Sequence, residues 1–195
     1  MILVDGKEVP EEETLDLKRR RIITFSSTSL TLKFLNLYDN QLTSFGGTVP
    51  NLKRLDVSKN RLTSFEGSFP KLEKLWLYEN QLTFFVGKFP NLKGLWLSEN
   101  QLSFFGGNFP TLERLWLSDN QLTSFEGSFP KLEELELSRN QSLGMLEVSL
   151  DTTPNLLVVY LEGTKVSFVD RSIVRLIKGR EVSPRSRRLE MVEVP

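Results

Sequence analysis

Cysteine and histidine are both missing from this chain. Without thiols there are no disulfides, no cysteine nucleophile and no cysteine-ligated zinc. Without imidazole there is no Ser-His-Asp triad and no histidine base, and few ways remain to hold a transition metal. Repeat proteins of the cell exterior usually close their ends with disulfides, so an intracellular, cytoplasmic setting is expected. Net charge is missing too: Lys+Arg 25 balances Asp+Glu 25, and bulk electrostatics point to neither nucleic acid nor an anionic membrane. No apolar run approaches the roughly 18 residues of a membrane span, and Met1 to Asp5 is too short and too soon charged for a signal peptide. The chain reads as soluble, and its 39% hydrophobic content suffices for one core if it is patterned.

Catalytic chemistry is equally scarce. Ser58, Ser98, Ser118 and Ser138 have no base beside them, and Glu134 and Glu136 fall on an open strand rather than in a water-excluding pocket. The glycines follow structural turns, with no phosphate-cradling loop leading into a helix. No enzyme activity, metal or small-molecule cofactor is expected.

What the sequence does have is self-similarity. Leu72-Glu-Lys-Leu75-Trp76-Leu77-Tyr-Glu-Asn80-Gln-Leu82 returns 20 positions later as Leu92-Lys-Gly-Leu95-Trp96-Leu97-Ser-Glu-Asn100-Gln-Leu102, and again from Leu112 through Trp116 to Leu122. A fixed short period means a solenoid. The pattern L-x-x-L-x-L-x-x-N-x-L resembles the leucine-rich repeat family over about Glu12 to Phe168. That resemblance implies a right-handed curved solenoid that binds a protein partner on its concave sheet. The 20-residue length and Asn80-Gln-Leu-Thr83 look like the short repeats of bacterial type III secreted effectors. The chain departs from those in carrying Phe65-Glu66 or Phe105-Gly106 where they have Leu-Pro. It also shows neither a secretion-type N-terminal helix nor a ligase domain with a catalytic cysteine.

Each slot has a physical reading. Asn40, Asn60, Asn80, Asn100, Asn120 and Asn140 form a column whose amides can bond the turn backbone of their own and the adjacent coil. Phe45, Phe65, Phe85, Phe105 and Phe125, with Val49, Phe69, Phe89, Phe109 and Phe129, fill the outer half of the core. Gly47, Gly67, Gly87, Gly107 and Gly127 lie between these columns at a position expected to need φ > 0. Twenty residues cannot hold a strand, two turns and a full helix, so the outer side is expected to be extended or 3₁₀. Asp5-Gly6 predicts a hairpin over 1–11 that caps the first coil. The solenoid spans 12–168, and 169–195 forms a C-terminal cap and tail, with a helix over 171–178 between Asp170 and Gly179. The fold class is α/β but β-dominated: a solenoid with a parallel concave sheet of about eight strands and a short C-terminal capping helix.

If the strand leucines point inward, alternate residues line the concave face. The central column reads Asp16, Asn36, Asp56, Trp76, Trp96, Trp116, Glu136, Tyr160. The column toward the strand starts carries Phe34, Arg54, Lys74, Gly94 and Arg114, and that toward the strand ends carries Tyr38, Ser58 and Tyr78. Every Trp and Tyr of the chain falls in these columns. At ~4.8 Å strand spacing Trp76, Trp96 and Trp116 make a ladder, with Gly94 leaving an opening beside it. One reading is a binding surface, since Trp and Tyr dominate interface hot spots; the other is cross-strand stacking that stabilises the sheet. Asp39, Glu79, Glu99 and Asp119, interrupted by Lys59 and Arg139, form a charged edge that either orients a partner or is simply solvated. Phe84 and Phe104 replace the serine of Ser44, Ser64 and Ser124 and should be partly exposed on the rim, where one reading is a second contact patch and the other local overpacking. The leading expectation is a protein or peptide partner held by Trp76, Trp96, Trp116 and Tyr78, with Tyr38, Arg54, Lys74, Arg114 and Tyr160 around them. A structural subunit contacting neighbours through its rim and termini is the alternative, and carbohydrate stacking on the tryptophans a third.

Overall fold

The computed structural model describes residues 1–144, 146, 152–166 and 175–177. Eight three-residue strands lie parallel and in chain order: Thr14–Asp16, Phe34–Asn36, Arg54–Asp56, Lys74–Trp76, Gly94–Trp96, Arg114–Trp116, Glu134–Glu136 and Val158–Tyr160. Register advances by one repeat per strand, so Asp56 faces Trp76, Trp76 faces Trp96 and Trp96 faces Trp116. The leucines explain why each segment is a strand with one buried side: Leu55, Leu75, Leu95, Leu115 and Leu135 are all at 0% exposure, while the residues on either side, the buried Gly94 excepted, are exposed or half-buried.

Past each strand the chain turns a corner through a left-handed residue. Asp39, Lys59, Glu79, Glu99, Asp119 and Arg139 have φ of 56°, 52°, 53°, 56°, 54° and 59°. An L-residue resists this conformation, so it persists because the next residue over-determines it. That residue is the asparagine. Asn80 Oδ1 accepts the Leu62 N–H of the previous coil at 3.0 Å, while its Nδ2 donates to Val57 O of that coil and to Leu77 O of its own, both at 3.0 Å. Asn60, Asn100 and Asn120 repeat the arrangement, and Asn40 and Asn140 end it.

The outer side is extended, with no 3₁₀ turn among the described residues. Its strands pair in twos: Phe25–Ser27 with Gly46–Gly47, Ser64–Ser68 with Phe84–Lys88, and Phe104–Asn108 with Ser124–Ser128. Between the two sheets the phenylalanines stack, as in Phe69 on Phe89 (5.7 Å, 2°) and Phe109 on Phe129 (5.7 Å, 6°). Phe85 bridges the seam between the last two strand pairs, its ring 6.1 Å from Phe105 and 6.5 Å from Phe109. The glycine column is not uniform. Gly127 has the expected positive φ (130°), but Gly87 does not; there glycine is required because a Cβ would stand 2.5 Å from Gly67 O.

At the N-terminus Asp5 and Gly6 both take positive φ (48° and 74°), turning Ile2–Val4 onto Lys7–Val9. The hairpin then pairs antiparallel with Phe25–Ser27 and buries Ile2, so it covers the edge of the outer sheet. The C-terminal helix expected over 171–178 falls mostly outside the described residues. The three described there, Arg175–Ile177, form a ninth strand parallel to Val158–Tyr160 instead. No helix occurs among the described residues, so the helical part of the expected class is not seen there.

Candidate functional site

The inner sheet presents its outward residues on a packed base, because every second side chain is locked into the core. Trp76 and Trp96 stack with centroids 4.9 Å apart and planes 11° from parallel, and Trp116 meets Trp96 edge-on at 6.3 Å and 64°. Stacked and edge-to-face geometries are the two that ring quadrupoles favour. Trp76 and Trp96 are half-buried and Trp116 is 39% exposed. The three rings therefore form one continuous apolar surface. The opening expected at Gly94 is not there: the Trp96 ring folds across that glycine, which is buried, and an added Cβ would stand 2.5 Å from Trp96 Cη2. Glycine at this slot lets the indole lie down on the sheet.

A second aromatic pair flanks the ladder. Tyr38 and Tyr78, two coils apart, approach to 6.3 Å over the buried Ser58. Arg19 and Lys59 each lie 5.8 Å from the Tyr38 ring. Desolvation, with the Asp56 carboxylate as a secondary cause, pushes the Tyr78 hydroxyl up to about 12. Tyr160 lies further along, half-buried at the strand that follows Glu134–Glu136. Of the cations, Arg114 reaches Glu134 on the next strand (3.5 Å), Lys74 is half-buried beside the ladder, and Arg54 leans over the Phe34 ring at 5.4 Å.

The charged edge proves to be a row of ion pairs between neighbouring coils. Arg19 meets Asp39 (3.3 Å), Lys59 meets Glu79 (3.1 Å) and Arg139 meets Asp119, leaving Glu99 as the carboxylate of the row with no ion pair among the described residues. The alternation of sign at Arg19, Asp39, Lys59 and Glu79 carries this signal in the sequence. Phe84 and Phe104, with Val86, lie on the far side of the molecule from the tryptophans, on the outer strands, with exposures of 47%, 47% and 61%. The two patches are therefore separate surfaces.

Sequence reasoning missed a depression at the N-terminal side of the ladder. An open hollow of about 370 Å³ is bounded by Asp16, Asn36, Asp56, Phe34, Arg54 and Trp76. Asp56 is half-buried in it, and burial pushes its carboxyl above the usual range against the lowering pull of the Ser58 N–H.

A parallel inner sheet on a 20-residue period, an asparagine ladder behind it and a stacked phenylalanine spine define a short-period leucine-rich solenoid. The family pattern for leucine-rich repeats in two copies matches residues 110–152, and that for a single leucine-rich repeat matches 51–72. The chain carries leucine-rich repeats. Among solved structures it is similar to YopM from Yersinia enterocolitica WA-314, with 25% identity and a TM-score of 0.71 over 87% of this chain and 42% of that one. It also matches the functional domain of InlJ from Listeria monocytogenes, which includes a cysteine ladder (17% identity, TM-score 0.46, 84% of this chain and 43% of that). A leucine-rich repeat protein of Leptospira interrogans matches at 24% identity and TM-score 0.36, over 70% of this chain and 50% of that. The chain thus spans half or less of the length of each of these proteins. None of the curated proteins matches it. Leucine-rich repeat proteins are in general protein-interaction scaffolds, and no helix among the described residues is long and apolar enough to cross a membrane.

Proposed function

We propose that the chain is a non-catalytic interaction module that docks a protein or peptide on its inner sheet. Trp76, Trp96, Trp116 and Tyr78 carry the contact, and Tyr38, Arg54, Lys74, Arg114 and Tyr160 surround it. The observation that supports this most is the continuous indole surface on a rigid sheet. The fold does not need it: the core is already filled by leucine and phenylalanine, and the column accepts Asp16, Asn36 and Glu136 at the same slot. Docking would be preorganised, with little side-chain freedom left to lose. The cysteine-free composition fits a reducing, intracellular setting.

The test is capture from a lysate by the wild-type chain and by the Trp76→Ala/Trp96→Ala/Trp116→Ala variant, with thermal unfolding of both. Stacking contributes about 0.5–1.5 kcal/mol per pair, so the variant is expected to stay folded and to lose the captured species. Capture that survives the triple substitution overturns the proposal.

The exposed Phe84, Val86 and Phe104 favour a second reading, in which the outer face joins the chain to neighbouring subunits. Phe84→Ser/Phe104→Ser would then disperse an assembly that the triple tryptophan variant retains; native mass measurement separates the two.

A further inference from the structure

The residues of the central column share a structural duty that only some of them exceed. Asp16, Asn36, Asp56 and Glu136 each use one side-chain oxygen to accept the backbone N–H two residues on, at 3.3, 3.0, 3.0 and 2.7 Å. Asn36 performs this with no charge and at the same distance as Asp56. The backbone therefore asks for an acceptor and not for a carboxylate. Asp16 spends its second oxygen on Lys18 at 3.1 Å, whereas Asp56 has no ion pair among the described residues: Arg54 is turned over Phe34, Lys59 is engaged by Glu79, and Lys74 stands in the neighbouring column. A half-buried, unpaired carboxylate is thus kept where a neutral amide serves the fold, and burial disfavours its charge.

Its surroundings say what would satisfy it. The same hollow holds the Asn36 amide, the Asp16 carboxylate and, as one wall, the indole of Trp76 at the end of the ladder. A carboxylate beside an aromatic face is the environment that takes a guanidinium or ammonium group, through a charge-assisted hydrogen bond and a cation–π contact together. Its volume of about 370 Å³ has room for one such side chain.

We propose that the hollow formed by Asp56, Asn36, Asp16 and Trp76 seats one cationic side chain, arginine or lysine, of the docked protein. This rests on the inner sheet being the docking face, and it names the chemistry of the partner at the N-terminal edge of the ladder: a basic residue at the point where its apolar contact with the tryptophans ends. Arg54, on the same strand as Asp56 and also lining the hollow, disfavours a second cation there and limits the seat to one.

The seat can be tested without a partner. N-acetyl-arginine amide is titrated into the ¹⁵N-labelled chain while the Trp76 indole N–H is followed by NMR, its signal assigned through Trp76→Phe. N-acetyl-citrulline amide, the neutral isostere, is the control, and the titration is repeated on Asp56→Asn, which keeps the acceptor for Ser58 N–H. The arginine compound is expected to shift the Trp76 signal saturably, and to bind about tenfold more weakly to Asp56→Asn, the loss expected for a hydrogen bond to a charged group. Equal shifts from the citrulline compound, or equal binding to Asp56→Asn, overturn the seat. Partner capture by the triple tryptophan variant would sink the docking reading instead, so the two failures are told apart.

Discussion

Replacing ladder asparagines by leucine is expected to hurt more at the ends of the ladder than in its middle. Asn80 makes three buried bonds, but two of its partners are shared: Val57 O also receives Asn60 Nδ2, and Leu77 O also receives Asn100 Nδ2, each at 3.0 Å. After Asn80→Leu each carbonyl keeps one donor, and only the Leu62 N–H is stranded. One buried unpaired donor costs about 1–3 kcal/mol. Asn140 is different. Its loss strands the Leu122 N–H and also Leu137 O, because the next copy has Thr164, whose hydroxyl donates to Leu161 O of its own coil. Two stranded groups raise the expected loss to about 2–5 kcal/mol. Urea unfolding of both variants, compared where the slope m is unchanged, measures the difference. Equal losses, or a larger loss for Asn80→Leu, would refute the shared-carbonyl account.

Asp56→Asn is expected to raise the melting temperature at neutral pH. The folded-state pKa is raised above 3.8, so the folded form holds its proton more tightly than the unfolded one; that contribution is present below about 3.8 and lost as pH rises through the folded value. The charged groups that face it, Arg54, Lys74 and Asp16, are unchanged in the variant, and a melting temperature at pH 7 no higher than wild type would contradict the desolvation argument. Glu99, with no ion pair among the described residues and φ of 56°, isolates the cost of the left-handed corner. Glu99→Val is expected to destabilise by about 1–2 kcal/mol and Glu99→Asn to be neutral or mildly stabilising, read by chemical denaturation; equal effects would sink the strain reading. Gly127→Ala places a Cβ 2.3 Å from Gly107 O at φ of 130°, whereas Gly144→Ala meets nothing within 4 Å. The first is expected to lower the melting temperature markedly and the second to leave it unchanged, and similar shifts would contradict the packing.

The repeat period, the inward leucines, the asparagine column and the parallel sheet were legible because each is a pattern that recurs at fixed spacing, and a recurring slot has one structural cause. What escaped depends on where side chains lie relative to one another. Nothing in Gly94 reveals that its neighbour's indole will fold across it rather than stand beside it. Gly87 shares its slot with Gly127 yet lacks the positive φ, since approach to Gly67 O and not backbone hand is what excludes a side chain there. The left-handed row at Asp39 through Arg139 has no glycine signature, because the asparagine bonds hold the corner and its occupants, exposed or half-buried, are all charged. The hollow at Asp56 arises from a difference in size between Asn36 and Trp76 two strands away, and is invisible to any reading of one repeat at a time.

The tryptophan surface itself depends on a residue with no side chain. In the column toward the strand starts, Arg54, Lys74 and Arg114 occupy the slot that Gly94 fills, so the strand tolerates a long basic residue there. At Gly94 such a residue would displace the Trp96 ring, whose Cη2 and Cζ3 lie 2.5 and 2.7 Å from the position of an added Cβ. Because those atoms are the far end of a side chain and not backbone, the ring can swing away at modest cost, and Gly94→Lys should fold. It should, however, break the 4.9 Å stack on Trp76 and leave the ladder in two pieces. The expected result is a weakened near-ultraviolet exciton signal, stability within about 1.5 kcal/mol of wild type, and partner capture reduced as far as by Trp96→Ala. Full capture with the stack broken would mean that the indoles act singly, and that the continuity of the surface is not what the partner reads.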